Sequence, residues 1–448
     1  MSSAPAILIC GTGSGCGKTM VTLGLMAALG RENRTVQPFK CGPDFIDPTL
    51  HTLVTGRNSY NLDIRMCGRD YVCRLFKRHA PAEGISVIEG VMGLFDGGKG
   101  SAAVLADTLN VPLLLVVDVR SAAESVGAVV KGFETLQSET RPAGVILNRI
   151  AGQRHQSLVE KSIETYCDTP VVGILPRDEQ LQIPSRHLGL HLGGEKPFSR
   201  IQIDCLVKLI RQNVDLDRIT TLAAKRRDIP CHENIPARVD IPVPPAVRLG
   251  VARDEAFCFY YEDNLQLFEQ AGAEIIPFSP LHDSRLPPDL DGLYLGGGYP
   301  ELYCPGLQDN RSMREDINRF ASAGRPVYAE CGGFMYLTEG IITMEGNFYQ
   351  MAEIFPARAR MKPRLSRLGY RTVRLTNNTL FGKAGVILHG HEFHYSELDK
   401  KMDVDRVYQF GDNRREGYQL GNTLGSYVHL HFGNTPDAVR NFLNLCNG

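Results

Sequence analysis

The chain has 448 residues, 49 Lys plus Arg against 50 Asp plus Glu, and 43% hydrophobic residues. Such a length exceeds the roughly 100–150 residues of a typical domain several-fold, and the apolar share excludes wholesale disorder. With a formal charge of −1 there is no global attraction to nucleic acid or to an anionic membrane, so neither is expected as a partner and any bound anion must be held by a local site.

The N-terminal MSSAPAILICG carries no basic segment and runs into a core-like strand, so no export signal is expected. Apolar stretches such as Val111–Val119 are half a membrane span. Twelve cysteines without a C-x-x-C pair fit reduced thiols and a cytoplasmic location better than disulfides or a structural zinc.

From Ala6 to about Leu175 short apolar runs (AILICG, TVQPF, ISVIEG, PLLLVVD, AGVILN, PVVGIL) alternate with helical patterns such as Lys18–Leu29 and Ser121–Leu136. Alternation of this kind predicts a doubly wound α/β domain with a parallel sheet, over residues 1–224. Five prolines between Lys225 and Val247 predict a linker. Alternation resumes over 248–448 with VRLGVA, a helix over Asn264–Ala271, AEIIPF, DGLYLGGG, a helix over Leu307–Ala323 and RPVYAECGG. Short strands and a helix over Pro436–Leu445 complete a second α/β domain.

Between the first strand and helix, GTGSGCGKT places Gly11, Gly13, Gly15 and Gly17 before Lys18 and Thr19. Glycines let backbone N–H groups curl around phosphate oxygens, a helix N-terminus adds positive charge, Lys18 reaches the outer phosphates and the Thr19 hydroxyl suits Mg2+. The spacing departs from the usual phosphate loop, whose first glycine falls at Thr12. A magnesium nucleotide also needs acids at strand ends, and Glu89, Asp44 and Asp47 are so placed. Asp118 reads equally well as a helix cap. Asn148, at the end of AGVILN, could read a base edge or simply form a turn.

In the second domain RPVYAECGGFMYL sets Cys331 between a strand and a helix, with two glycines for a sharp turn, the setting of an exposed nucleophile. Its base is sought in SYVHLHF, where His429 and His431 share a strand face. In LGGGYPE, Gly297 and Gly298 could offer amides to an oxyanion. Nucleophile, base and oxyanion donors together imply acyl transfer through a thioester. Cys10 and Cys16 read as packing residues.

These motifs, with KCGPDFIDPTLH, NLD (61–63), VIEGVMGLFDG, IPSRHLGL, LGGGYPELY and GHEFHYSE, resemble the cobyrinic acid a,c-diamide synthase family along the whole chain. The resemblance implies a dethiobiotin-synthetase-like ATP domain fused to a class I glutamine amidotransferase domain. It implies ATP- and glutamine-dependent amidation of the a and c acetates of a corrinoid or related tetrapyrrole, by way of an acyl phosphate and released ammonia. Carried over by motif, Gly13, Gly15, Gly17, Lys18 and Thr19 bind the ATP phosphates and Mg2+, with Glu89 as a further metal ligand. Asp44 and Asp47 handle metal or the acceptor carboxylate, and His51, Asn61, Asp63 and Arg65, which follow that loop, are the candidate substrate contacts. Cys331 and His429 form a catalytic pair, with His431 in reserve, and no carboxylate follows them to orient the imidazole. Cobyric acid synthase, nickel-sirohydrochlorin a,c-diamide synthase and a ParA-like nucleotide-switched scaffold are the competing readings; homodimerisation is left open.

Overall fold

A computed structural model describes residues 4–137, 139–177, 198–227 and 247–448, with the backbone of 185–186 and 189–190. The rest of the IPSRHLGL motif (183–190) and residues 228–246 of the expected linker lie outside the described residues. The chain divides into two compact units, Met1–Ile235 and Pro236–Gly448.

The first unit is built on strands β1 (Ala6–Gly11), β2 (Val36–Cys41), β3 (Tyr60–Leu62), β4 (Ile85–Glu89), β5 (Leu113–Asp118), β6 (Gly144–Ile150) and β7 (Val171–Pro176). They form one sheet in the order β3-β2-β4-β1-β5-β6-β7, parallel throughout. Every residue of β1, β2 and β4 is buried, because helices cover both faces and a parallel strand then needs apolar side chains on both. Helix α1 (Lys18–Gly30) packs Val21, Leu25 and Leu29 on Ile7, Ile9 and Val116. Since β1 lies between β4 and β5, its carboxyl end is where neighbouring connections part, the place where such sheets bind ligands. Helix α2 (Ile46–Thr55) follows β2. In the sheet Glu89 lies abreast of both Ile9 and Lys40.

Both ends of the expected linker, 225–247, prove to be structured. Arg226 is buried, its Nε donates to the Leu109 carbonyl at 3.0 Å and its guanidinium lies 4.8 Å above the Phe76 ring. Its stem and charge are thus internal to the first unit, within the stretch expected to be linker. At the other end Val247 opens the strand Val247–Ala252.

The second unit has a ten-stranded sheet. Its first five members, in sheet order, are Ala273–Phe278, Val247–Ala252, Gly292–Leu295, Val327–Glu330 and Thr423–Ser426, and they pair in parallel. Antiparallel strands Arg415–Leu420, Asp405–Gln409, Arg367–Leu375, Ile387–His394 and His429–His431 extend it. Leu430 N donates to Glu330 Oε1 at 2.9 Å, so the sheet coils until its last strand meets the carboxyl end of its fourth. Asn264, on helix Glu262–Gln270, clamps that last strand by donating to Leu430 O (2.8 Å) and accepting from Phe432 N (2.9 Å).

The helix expected over Leu307–Ala323 is two helices, Cys304–Asp309 and Arg311–Ser322. Asn310 breaks it because its side-chain amide donates to Pro280 O and Asp283 O, both at 2.8 Å, a local competition with helix bonding that Asn favours.

Candidate functional site

In the first unit the chain leaves β1 through a loop in which Gly15 and Gly17 have φ of 78° and 92°, a region that glycine enters at little cost. Gly17 sits directly before α1, so the helix's free N–H groups face the loop. The loop is braced from below. Asn148 Nδ2 donates to Cys16 O at 2.9 Å, and Arg149 Nη1 donates to Gly15 O at 3.0 Å while pairing with Asp118. A Cβ on Gly17 would lie 2.0 Å from Asn148 Nδ2. Asn148, expected to read a base edge or form a turn, thus spends its amide nitrogen on the phosphate loop. Asp118 caps no helix, since the next one begins at Ser125; its Oδ1 accepts from Arg120 N. Lys18 Nζ donates to Met92 O at 3.0 Å.

Behind Lys18 lies a chain of buried polar groups. Thr19 Oγ1 donates to Glu89 Oε1 at 2.7 Å, and Glu89 Oε2 meets His51 Nε2 at 2.8 Å. His51 Nδ1 continues to Ser59 Oγ at 2.9 Å. Lys40 Nζ sits between the acids, 2.5 Å from Asp47 Oδ2 and 3.4 Å from Glu89 Oε1, and donates to Gly90 O. Burial would lower the Lys40 pKa, but the Asp47, Glu89 and Asp44 carboxylates outweigh it and raise it, so the ammonium is held charged. Burial would likewise raise Glu89, yet Lys40 and His51 hold it well below the usual carboxylate range. Lys40 carries no signal in the sequence beyond a charge at the end of a strand; its register beside Glu89 reveals it.

The residues expected to meet the acceptor divide. Asp44 Oδ1 accepts from the amides of Ile46 and Asp47, closing the turn into α2. Asn61 Nδ2 donates to Gly42 O and Asp44 O and so fixes that turn. Of the others, His51 and Asp63 are buried. His51 has both ring nitrogens engaged, by Glu89 and Ser59; Asp63 caps the helix Ile64–Cys67 by accepting from Met66 N at 2.9 Å.

No ring of three or more His, Cys, Asp or Glu suited to a metal exists among the described residues. Mg2+ needs no such ring, because it takes one or two protein oxygens beside phosphates and water. The adjoining Thr19 hydroxyl and Glu89 carboxylate fit that requirement.

In the second unit Cys331 ends the strand Val327–Glu330 with φ 46° and ψ −102°. This is a backbone state outside the regions that L-residues favour, and it persists where surroundings over-determine it. They do so here: Cys331 N donates to Ser426 O at 2.7 Å, and a Cβ on Gly332 would lie 3.0 Å from Gly298 N. The helix that follows, Gly332–Leu337, is wholly buried. Of the two histidines, His429 is the one beside the thiol. Burial would lower its pKa, but the hydrogen bond and charge of Cys331, then those of Glu330, raise it to about 10. Gly297 leaves room for the ring, since a Cβ there would lie 2.4 Å from His429 Cε1.

His431 turns elsewhere. Its Nδ1 accepts from Gly433 N at 3.1 Å, its Nε2 is 3.9 Å from Asp263, and burial pushes its pKa down to about 3. A residue not foreseen from sequence stands by His429: Glu330 Oε2 lies 3.6 Å from its Nδ1.

Comparison with known proteins covers both units. Residues 7–190 match the CobQ/CobB/MinD/ParA nucleotide binding domain, and residues 248–437 match the CobB/CobQ-like glutamine amidotransferase domain. A cobyrinate a,c-diamide synthase of Syntrophotalea carbinolica is 43% identical over 100% of this chain and 99% of its own. One from Priestia megaterium is 40% identical over 98% and 96%. PurLQS from Thermotoga maritima, a solved structure, matches 45% of this chain and 98% of its own at 20% identity and a TM-score of 0.34. The class is therefore a nucleotide-binding domain joined to a glutamine amidotransferase domain, as the two sites require. Within that class, the chain belongs to the cobyrinate a,c-diamide synthase family.

Proposed function

We propose that this enzyme amidates the a and c acetate carboxylates of cobyrinate, in cobalamin biosynthesis, at the expense of ATP and glutamine. One observation carries the reading: a chain of this family holds two separate sites, a phosphate loop ending in Lys18 and Thr19 and a strained Cys331 beside His429. A carboxylate does not react with ammonia unaided. Transfer of the terminal phosphoryl group of ATP to the acceptor oxygen yields an acyl phosphate and ADP; ammonia then displaces phosphate to leave the amide. In the first unit, loop amides and Lys18 bind and orient the phosphates.

Thr19, Glu89 and Asp47 would hold Mg2+, which would neutralise charge at the phosphates. Lys40 keeps Asp47 and Glu89 in place, while Asp44 and Asn61 shape the loop that meets the acceptor. In the second unit the Cys331 sulfur attacks the glutamine amide, His429 passes a proton to the departing nitrogen, and amides at Gly297 and Gly298 face the oxyanion. Water then releases glutamate from the thioester. No helix among the described residues is long and apolar enough to cross a membrane; a cytoplasmic location accompanies this reading. A nucleotide-switched scaffold would leave Cys331 without a task.

The test uses product mass and two variants. With cobyrinic acid, hydrogenobyrinic acid and nickel-sirohydrochlorin offered in parallel, a diamide should form fastest from cobyrinic acid. Cys331→Ala should lose glutamine-driven synthesis and retain synthesis from high ammonium, whereas Lys18→Ala should lose both. Loss of ammonium-driven synthesis in folded Cys331→Ala would sink the division of labour.

A further inference from the structure

We propose that Glu330, the residue immediately before the nucleophile, is the positioning carboxylate for His429. The inference rests on Cys331 and His429 being the glutaminase pair. An imidazole that relays protons to a thiol needs its second nitrogen held, so that ring orientation and tautomer are set before substrate arrives. Glu330 Oε2 faces His429 Nδ1 at 3.6 Å, which leaves Nε2 for the thiol. Both side chains are about 2% exposed or less, so no bulk water competes for that nitrogen.

The carboxylate is itself fixed on both oxygens. Oε1 accepts from Tyr328 Oη at 2.5 Å and from Leu430 N at 2.9 Å, and Oε2 accepts from Tyr294 Oη at 3.0 Å. Tyr294 and Tyr328 stand abreast on neighbouring strands with their rings stacked at 5.1 Å, and both are fully buried, so the donors cannot swing away. Because Leu430 follows His429 in the chain, one carboxylate secures the base through its ring and through its backbone. Among the described residues its ion pair is with His429 and with no Lys or Arg. A buried acid supplied with three donors and no fixed cation is arranged to serve a group that becomes cationic.

Two other histidines nearby have Nδ1 bound elsewhere. His431, two residues after the base, accepts from Gly433 N. His394 is bound through Nδ1 to Ser396 O at 2.8 Å and stacks on Tyr427 at 4.0 Å. In the reaction the proton released by the thiol rests on His429 and leaves on the amide nitrogen as ammonia, while the sulfur–carbon bond forms and the carbon–nitrogen bond breaks. Glu330 takes no part in the transfer itself.

The experiment measures glutamine hydrolysis by the full-length enzyme carrying Glu330→Gln, with folding checked by thermal melting. Kcat should fall about ten- to hundredfold, because a neutral amide holds the imidazolium less well, while KM stays within about twofold. A kcat within about threefold of the parent, or a KM that rises in proportion, overturns the proposal. If Glu330→Gln does not fold, Glu330→Asp serves: it keeps the charge but withdraws it by one methylene. A kcat reduced at least about threefold at unchanged KM supports the role, and parental kcat overturns it. Failure of the underlying reading looks different: the parent enzyme would not hydrolyse glutamine, or Cys331→Ala would still do so.

Discussion

The two sites place a reactive group at the end of a parallel strand by opposite means. In the first unit the strain is given to glycines: Gly15 and Gly17 take the positive φ values, and the functional Lys18 and Thr19 sit in relaxed helix. In the second unit the functional residue takes the strain, with Cys331 at φ 46°. The electrostatics differ as well. Around Glu89 the Lys40 ammonium stands among the buried acids and the His51 ring lies against the carboxylate, whereas Glu330 is surrounded by neutral hydroxyls and an amide. A site that must receive a polyanion and a cation keeps its acids compensated; a site that must create a thiolate and an imidazolium keeps an acid in reserve.

Substitutions can break this contrast, and the largest effect is expected at Lys18. Lys18→Ala should cut synthesis at least about a thousandfold with glutamine or ammonium alike, since it removes the charge that meets the phosphates; product formation with each nitrogen source reads this. Next, Gly297→Ala should lower glutamine-driven turnover about a hundredfold, because the new methyl overlaps His429 Cε1, 2.4 Å away, and must displace the base. Synthesis from ammonium should hold.

A smaller effect concerns stability and pH. The His431 pKa is depressed to about 3 in the folded chain, below an unfolded value of about 6.5, so the unfolded chain takes up a proton that the folded one refuses. Its contribution is present above pH 6.5 and lost as pH falls toward 3, amounting to about 2 kcal/mol lost by pH 5. Denaturant melts of His431→Gln should show a flatter slope over that window. Least of all, Cys331→Gly should inactivate the glutaminase yet stabilise the second unit by about 1 kcal/mol, because glycine adopts the strained backbone freely. A calorimetric scan showing no rise in melting temperature would mean that φ 46° costs little here.

Much of this architecture was legible in the sequence. Runs such as AILICG and PLLLVVD are strands, the loop before Lys18 is where the glycines put it, and Cys331 stands at a strand-to-helix turn. What stayed hidden depends on strand pairing. Lys40 ends β2 with nothing to distinguish it until β2 lies beside β4 and brings it abreast of Glu89. Glu330 was invisible as a partner because an orienting acid was sought after His429, and only the coiling of the sheet brings Leu430 and His429 to the strand that precedes Cys331. The burial of His51 and Asp63 was hidden for a related reason: loop polarity tells nothing of burial, and both side chains are inside. The alternation Tyr328, Glu330 on one strand face, opposite Tyr294, was the available hint of a polar pocket in an apolar strand.

Glu330 and Cys331 are neighbours in the chain, so acid and thiol share one reading frame of pleats. Deleting any single residue from Val327–Glu330 would turn alternate side chains to the wrong face of the sheet and unseat both groups together. In a screen, such a lesion would mimic loss of the sulfur itself, even where neither Glu330 nor Cys331 is the residue deleted.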